Sequence, residues 1–315
     1  MVDKYGPLVR LWGIQNAQLP ARNATAQELT RLLTSILLEA VPFISDVPSA
    51  AVSPYASSWK TKGSRHFPHS EAPVFLYERT VPAEALHEVA REHHLPGPSS
   101  ATRLQPETWF LRRSVHDDSA RAGTASWDEW VRCFKASHAE TERAFTPSVL
   151  STRADREWDC RGVEVDLDGE TWGDWTLKLE ESVHKMPAPL RNRVFPVLQA
   201  TTSVLGKQRF LVVQIAAGEA MGVVEARRGG DVCGAYTSIE QLRDTGEGIE
   251  WVMGTASDAK GVLPAWVQRM ATPGMVAKDV DLFLSWVATH RREEDDGDIA
   301  KDDGTHNGSV SKSYY

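Results

Sequence analysis

The residues best suited to chemistry lie close together in the segment 175–186 (WTLKLEESVHKM). Glu181 and His184 are the candidate catalytic residues, because a carboxyl group and an imidazole can exchange protons with a ligand. If the segment is a strand, Trp175 and Glu181 share one face with two leucines. This apolar face is expected to point inward, so the pattern predicts that Trp175 and Glu181 contact a bound ligand.

Both catalytic candidates also have a structural interpretation. Glu181 then lies at the solvated end of its strand, and His184 bonds the proline-rich loop 187–192 instead of donating to a ligand. Arg193 follows this loop and is a candidate for binding a carboxylate or phosphate head group, with a surface acid as the alternative partner. Arg113 shares a strand face with apolar residues, which predicts that it enters a cavity or forms a buried pair with a glutamate.

Aromatic residues in predicted strands are candidates for the walls of an apolar pocket. They are Trp175, Phe195, Tyr236 and Trp251. Such rings offer a broad apolar surface together with a polar edge that orients a ligand. Core packing without a ligand is the alternative for each of them.

Motifs for metal, nucleotide and covalent chemistry are missing from the sequence. His87-Glu88 is followed by Arg91 where a zinc protease requires its second histidine, and no G-x-S-x-G turn or glycine-rich phosphate loop occurs. The three cysteines have no C-x-x-C spacing, which excludes a cysteine zinc site. We therefore expect no cofactor and no metal, and any enzyme activity would be cofactor-independent.

The charge of the chain excludes one class of partner. The net charge is −8, and residues 292–315 contribute half of it through seven acids against three bases. Nucleic acid is not an expected partner, because duplex binding needs a concentrated basic face. No signal peptide and no run of about 18 apolar residues is visible, which predicts a cytoplasmic protein. Transient contact with a membrane stays open.

Hydrophobic spacing predicts two helices in the first third of the chain. Leucine and isoleucine recur at helical spacing over 25–41, and Pro42 is expected to end this helix. The segment 42–73 is rich in proline and serine, which predicts a long loop. A short helix is predicted over 82–93.

Strand-like segments dominate the rest of the chain. The predicted strands are 108–116, 149–158, 172–186, 193–205, 209–217, 233–243 and 248–256. A helix is predicted over 127–145, and no helical pattern interrupts the later strands, which favours antiparallel pairing. A final helix over 275–291 carries a continuous apolar stripe. This order predicts an α+β fold in which a curved antiparallel sheet grips the C-terminal helix and encloses a ligand cavity.

Composition divides the chain into three parts. Residues 1–107 are predicted to form a helical and loop extension packed on the main domain, which is 108–291. Residues 292–315 are predicted to be a disordered acidic tail, because blocks of like charge are usually solvated.

Three motifs in a fixed order relate the sequence to a known family. They are WFLRRSVHDDSARAGTASWDEW (109–130), HKMPAPLRNRVFPVL (184–198) and GTASDAKGVLPAWVQRMATPGMVAKDVDLFLSW (254–286). Together they resemble a fungal family of START-like domains of unknown function, over residues 108–290. The resemblance implies a helix-grip fold and binding of a lipid or another apolar ligand. It supplies no catalytic residues.

Three functions are compatible with these observations. The first is binding, with or without transfer, of a lipid or other hydrophobic small molecule in a cavity closed by loops 42–73 and 187–192 or by the C-terminal helix. The second is a cofactor-independent cyclase, isomerase or dehydratase that acts on a polyketide-like or terpenoid-like metabolite. The third is a scaffold that binds partners through its acidic tail.

Overall fold

A long antiparallel sheet forms the centre of the structure, a computed structural model that describes residues 5–49, 54–95, 104–218, 230–260 and 272–291. Its strands are β1 (Lys60–Arg65), β2 (Val74–Val81), β3 (Glu107–His116), β4 (Val149–Trp158), β5 (Val165–Leu167), β6 (Glu170–His184), β7 (Arg193–Val204), β8 (Arg209–Ala216), β9 (Val232–Cys233), β10 (Ala235–Asp244) and β11 (Ile249–Asp258). The order across the sheet is β1-β2-β3-β11-β10-β8-β7-β6-β4, with β5 paired to β6 and β9 to β7.

Helices cover both faces of this sheet. They are α1 (Ala26–Ser45), α2 (Ala83–Glu92), α3 (Trp127–Trp130), a π-helix (Val131–Ala136), α4 (His138–Phe145) and α5 (272–291). Within the described ranges, no helix is long and apolar enough to cross a membrane. The predicted acidic tail, 292–315, lies outside the described residues.

Helix α1 covers one face of the sheet, which we call the α1 face. The helix begins at a capping box, in which the Thr25 hydroxyl accepts from the Glu28 N–H and the Glu28 carboxylate accepts from the Thr25 N–H. Leu29 and Leu33 are fully buried in one cluster with sheet residues such as Trp109. Each such burial stabilises the fold by about 1.5–3 kcal/mol.

Helix α1 continues past Pro42, where the sequence predicted its end, and stops at Ser45. Pro42 is exposed, whereas the next two residues, Phe43 and Ile44, are buried. The proline leaves the carbonyl of Leu38 without its helical donor, but Leu38 is also exposed, so water can bind this carbonyl. Burial of two large side chains therefore offsets the lost hydrogen bond.

Helix α5 covers the opposite face, which we call the α5 face. Its apolar stripe, predicted from the sequence, is buried: Val276, Val280, Phe283, Leu284 and Val287. All of these residues except Val276, which lines the cavity described below, form a second core cluster with α3, the π-helix and the sheet. The Phe283 ring lies 4.8 Å from the ring of Trp130 and 5.7 Å from that of Trp251.

Polar contacts fix the C-terminal half of α5. Arg291 pairs with Glu129, with Nη2 donating to Oε2 at 2.6 Å, and also donates to the Thr124 carbonyl at 2.9 Å. Asp281 accepts from the His69 backbone N–H at 2.9 Å, and its carboxylate lies 3.0 Å from the His69 ring. The start of α5 lies over the cavity described below.

The seven predicted strands are confirmed, with ends that move by two residues or fewer. The predicted loop over 42–73 was wrong in part, because it contains β1, and β2 was missed. Strand β1 is exposed along its whole length, so its sequence KTKGSR carries no apolar alternation. The division predicted at residue 107 stays a prediction, although β1 and β2 join the same sheet as β3.

The helix predicted over 127–145 is interrupted by the π-helix. A π-turn inserts extra residues into the helical register and is frequent at functional sites. Here it buries Cys133 and Phe134 and precedes His138, whose ring faces the sheet and contacts Glu240 at 3.2 Å. The interruption therefore brings a titratable side chain onto the α5 face.

We predict that Leu33→Ala lowers the free energy of unfolding by about 2–5 kcal/mol, because it leaves a cavity under α1. Leu38→Ala, on the exposed side of the same helix, is the matched control and should change it by less than about 0.5 kcal/mol. Urea unfolding followed by far-ultraviolet circular dichroism measures both. Equal effects of the two substitutions would show that α1 does not pack as described.

Candidate functional site

A cavity of about 190 Å³ lies between the start of α5 and the sheet. Strands β6, β7, β8, β10 and β11 provide its floor, and the segment from α4 to β4 closes one side. The apolar part of its wall includes Phe195, Val197 and Met253. Hydroxyl groups are frequent in the remainder, so the cavity suits an amphiphilic molecule rather than a pure hydrocarbon.

Three of the residues predicted to bind a ligand come together in this cavity: His184, Phe195 and Tyr236. The Phe195 ring lies 5.1 Å from the His184 ring, edge to face, and 6.0 Å from the ring of Tyr236. Burial raises the pKa of Tyr236, so its phenol keeps its proton. These rings form one wall with two polar edges.

His184 is paired with a serine at the cavity wall. Its Nε2 lies 2.9 Å from the hydroxyl oxygen of Ser182, two residues earlier on β6. Burial lowers the pKa of His184, and the charge of Glu142 opposes this change. His184 is therefore neutral at pH 7 and can accept the Ser182 proton or donate to a ligand, depending on its tautomer.

A smaller cavity of about 30 Å³ adjoins the first and contains a buried charge cluster. Glu240 on β10 accepts from Arg112 Nη2 at 3.3 Å, and its other oxygen lies 3.2 Å from Nε2 of His138. Burial alone would lower the pKa of His138, but the hydrogen bond and charge of Glu240 outweigh it and raise the pKa to about 9. His138 is therefore a cation at neutral pH.

Trp251 lies beneath this cluster and is fully buried. Its indole N–H donates to Glu240 at 2.6 Å, and the Arg112 guanidinium stacks on its ring at 3.6 Å from the centroid. Burial would raise the pKa of Glu240, but these three donors together hold it below its usual value. The Glu240 carboxylate is therefore compensated from three sides.

Asp279 faces both cavities from α5. The Asp279 side chain is partly exposed to solvent and is otherwise surrounded by protein. Burial raises the pKa of Asp279 to about 7; Arg112 opposes this rise, and the charges of Glu142 and Glu240 add to it. A carboxyl group that is unfavourable when ionised marks a place arranged for something other than stability alone.

Three other predicted residues lie away from this cavity on the α1 face. Arg113 donates to Glu250 at 2.6 Å, as a buried pair with a glutamate. Trp175 is buried in the α1 cluster, and Glu181 pairs with Arg153 at 3.0 Å near the surface. Their roles in binding stay predictions that the cavity does not support.

Arg193 is fully buried but faces backbone oxygens. Its guanidinium donates to the carbonyls of Ala259 at 2.5 Å, of Lys260 at 3.3 Å and of Arg191. These bonds tie the start of β7 to the end of β11. In the structure this side chain therefore holds two strand ends and not a head group.

The apolar face predicted for β6 is buried, but it is not the face that lines this cavity. Leu177 and Leu179 pack against α1, so the apolar face of β6 is the α1 face. The other face, with Ser182 and His184, lines the cavity. Alternation in the sequence correctly separates the two faces, but it cannot say which one the ligand contacts when helices cover both.

Sequence reasoning missed the charge cluster. The strongest available signal was Asp279, which lies three residues after Val276 and four before Phe283 and so interrupts the apolar stripe of α5. Glu240 is likewise an acid in the middle of a strand, next to Ile239 and two residues before Leu242. Arg112 lies on the other face of β3 from Arg113, and this is the α5 face, where it stacks on Trp251.

A larger groove of about 600 Å³ lies between β4, β5 and β6, away from α5. Asp159 and Arg161 at its rim are mostly exposed and pair with each other at 2.6 Å. Trp175 is part of its wall. Its exposed charges make it a solvent-facing groove.

Among the described residues, no group of three or more potential ligands could hold a metal ion.

The fold is START-like. Human StAR-related lipid transfer protein 5 is similar to this chain with a TM-score of 0.52 and 12% identity, over 84% of this chain and 99% of that one. Human STARD10 gives a TM-score of 0.48 with 11% identity, over 82% of each chain. The StarD13 (DLC2) lipid transfer and protein localization domain, also human, gives 0.45 with 14% identity, over 79% and 96%.

The chain belongs to the family described as "Protein of unknown function (DUF3074)", whose model matches residues 109–287. The START-like family predicted from the three motifs is thereby confirmed, as is the α+β fold. No curated protein matches the chain. At this level of identity, the similar structures show the fold alone.

We predict that Asp279→Asn stabilises the protein without a ligand at pH 8 by at least about 1 kcal/mol. Because the pKa of Asp279 is raised from 3.8 to about 7, the folded state binds more protons than the unfolded state between these values. Its contribution to stability therefore falls as pH rises through this window. The gain from the asparagine should be larger at pH 8 than at pH 5, as measured by urea unfolding. An equal or larger gain at pH 5 would contradict the raised pKa.

Proposed function

We propose that this protein binds a lipid or another amphiphilic small molecule in the cavity between α5 and the sheet. The main support is the cavity itself, where the apolar stripe of α5 gives way to Asp279 and the sheet offers hydroxyl groups beside Phe195 and Val197. A face intended only for core packing would be filled by apolar side chains. The similarity to human StAR-related lipid transfer protein 5 adds support by analogy of fold.

The size of the cavity limits the ligand. Its volume, about 190 Å³, is below the roughly 300–1,000 Å³ of pockets for drug-sized ligands. As it stands, the cavity holds a small amphiphile or one part of a larger lipid. A larger lipid requires the start of α5 to move, and transfer would use the same movement. Met275, at this end of the helix, is 59% exposed beside the cavity, whereas Arg291 holds the far end.

One observation favours a second candidate, the cofactor-independent enzyme. The hydrogen bond between Ser182 and neutral His184 places a proton acceptor on the cavity wall. If the protein is an enzyme, we expect conversion of a bound metabolite to depend on proton transfer by His184. Incubation with a metabolite extract, followed by mass spectrometry, tests this: conversion by the wild type that is lost in His184→Gln would favour the enzyme. A metabolite that binds but is not converted would favour the carrier function over the enzyme.

We predict that Ser257→Phe lowers the affinity for a fluorescent lipid analogue by at least about ten-fold, because the added ring occupies the cavity. Ser151→Phe is the matched control, since Ser151 is exposed on the edge strand β4. A fluorescence titration at equal protein concentration measures both. Saturable binding by the wild type and the control, but not by Ser257→Phe, supports the proposal. Equal binding by all three would place the ligand elsewhere.

A further inference from the structure

Two residues that line the smaller cavity carry buried donors without a hydrogen-bond partner among the described residues. Arg112 is 2% exposed, and its Nη2 donates to Glu240. Its Nε and Nη1 have no hydrogen-bond partner among the described residues. Nδ1 of His138 is in the same situation. Buried donors of this kind are costly unless something accepts from them. The smaller cavity, about 30 Å³, is large enough for one water molecule or one hydroxyl group.

Acceptors face the same space from two other elements. Asp279 on α5 and Glu142 on α4 line both cavities, so each can accept from a group placed at their junction. Neither has a short hydrogen bond to Arg112. A group at this junction must therefore accept from a guanidinium and donate to a carboxyl group.

The balance of charge around this junction excludes an anion. Two cations, Arg112 and His138, face three carboxyl groups, Glu142, Glu240 and Asp279. The two cations carry two positive charges against three negative charges when all three carboxyl groups are ionised, which leaves no positive charge for a head group. A carboxylate or phosphate would add negative charge next to two acids in a poorly solvated space.

We propose that the cavity selects an amphiphile whose polar end is an uncharged hydroxyl, and that Asp279 and Glu142 exclude anionic head groups. A hydroxyl accepts one hydrogen bond from Arg112 and donates one to a carboxyl group, which satisfies both sides at once. An ammonium donates only and would leave the Arg112 nitrogens unsatisfied. The hydrocarbon part then lies along Phe195 and Met253 in the larger cavity.

This inference rests on the proposed function and is tested with three probes that share one alkyl chain: decanol, decanoate and decylamine. Their affinities are measured at about pH 8 by displacement of the fluorescent lipid analogue, where the two charged probes are ionised. We expect decanol to bind at least about ten-fold more tightly than either charged probe. A charged probe that binds as tightly as decanol overturns the inference but leaves the binding function intact. No binding of any probe overturns both.

The variant Asp279→Asn separates selection from stability. Removal of the charge should strengthen decanoate binding and weaken decanol binding, so the ratio of their affinities falls by about ten-fold or more. Asp281→Asn is the matched control, because Asp281 lies on the same helix and bonds His69 outside the cavity. It should leave the ratio unchanged. If Asp279→Asn weakens both probes equally, Asp279 has only a structural role and the inference fails.

Discussion

The buried carboxylate of Glu240 is the interaction on which the α5 face depends. It accepts from Arg112 and Trp251 and bonds His138, so it joins β3, β10, β11 and α4 at one point. Loss of this one carboxylate would leave Arg112 and His138 without their ion-pair partner, which costs more than the pairs contribute. Aromatic rings pack around the cluster, among them Phe134, which contacts the rings of Trp251 and His138. These polar side chains stand on the α5 face where apolar side chains would otherwise fill the space. The polar cavity remains beside them for this reason.

The two faces of the sheet have separate tasks. On the α1 face, apolar side chains of every long strand from β3 to β11 join one core with α1, and this core carries most of the hydrophobic stabilisation. On the α5 face, apolar packing is concentrated under the far half of α5, around Phe283 and Trp130. The start of the helix lies over hydroxyl groups instead. The α1 face thus supplies stability, which allows the α5 face to contain a cavity for a ligand.

Much of the fold could be predicted from the sequence, but little of the site. The strands could be predicted from the alternation of apolar and polar residues, and α5 from its apolar stripe. Both patterns are present in the structure. Strand β1 could not be found this way, since its side chains are exposed and it joins the sheet by pairing with β2. The site depends on long-range contacts between single charged residues, such as Arg112 and Glu240, which are 128 positions apart. Asp279 was the strongest signal in the sequence, as an acid in an apolar stripe.

The central claim is that the space between α5 and the sheet holds an amphiphile. Native mass spectrometry of the protein purified from its own source, with solvent extraction of the bound fraction, tests this most directly. The account predicts an added mass at near-stoichiometric level, a hydroxyl-bearing molecule without negative charge, and its loss in Ser257→Phe. A protein that carries no added mass and takes up none from a lipid extract, or one whose bound molecule persists in Ser257→Phe, would contradict the account.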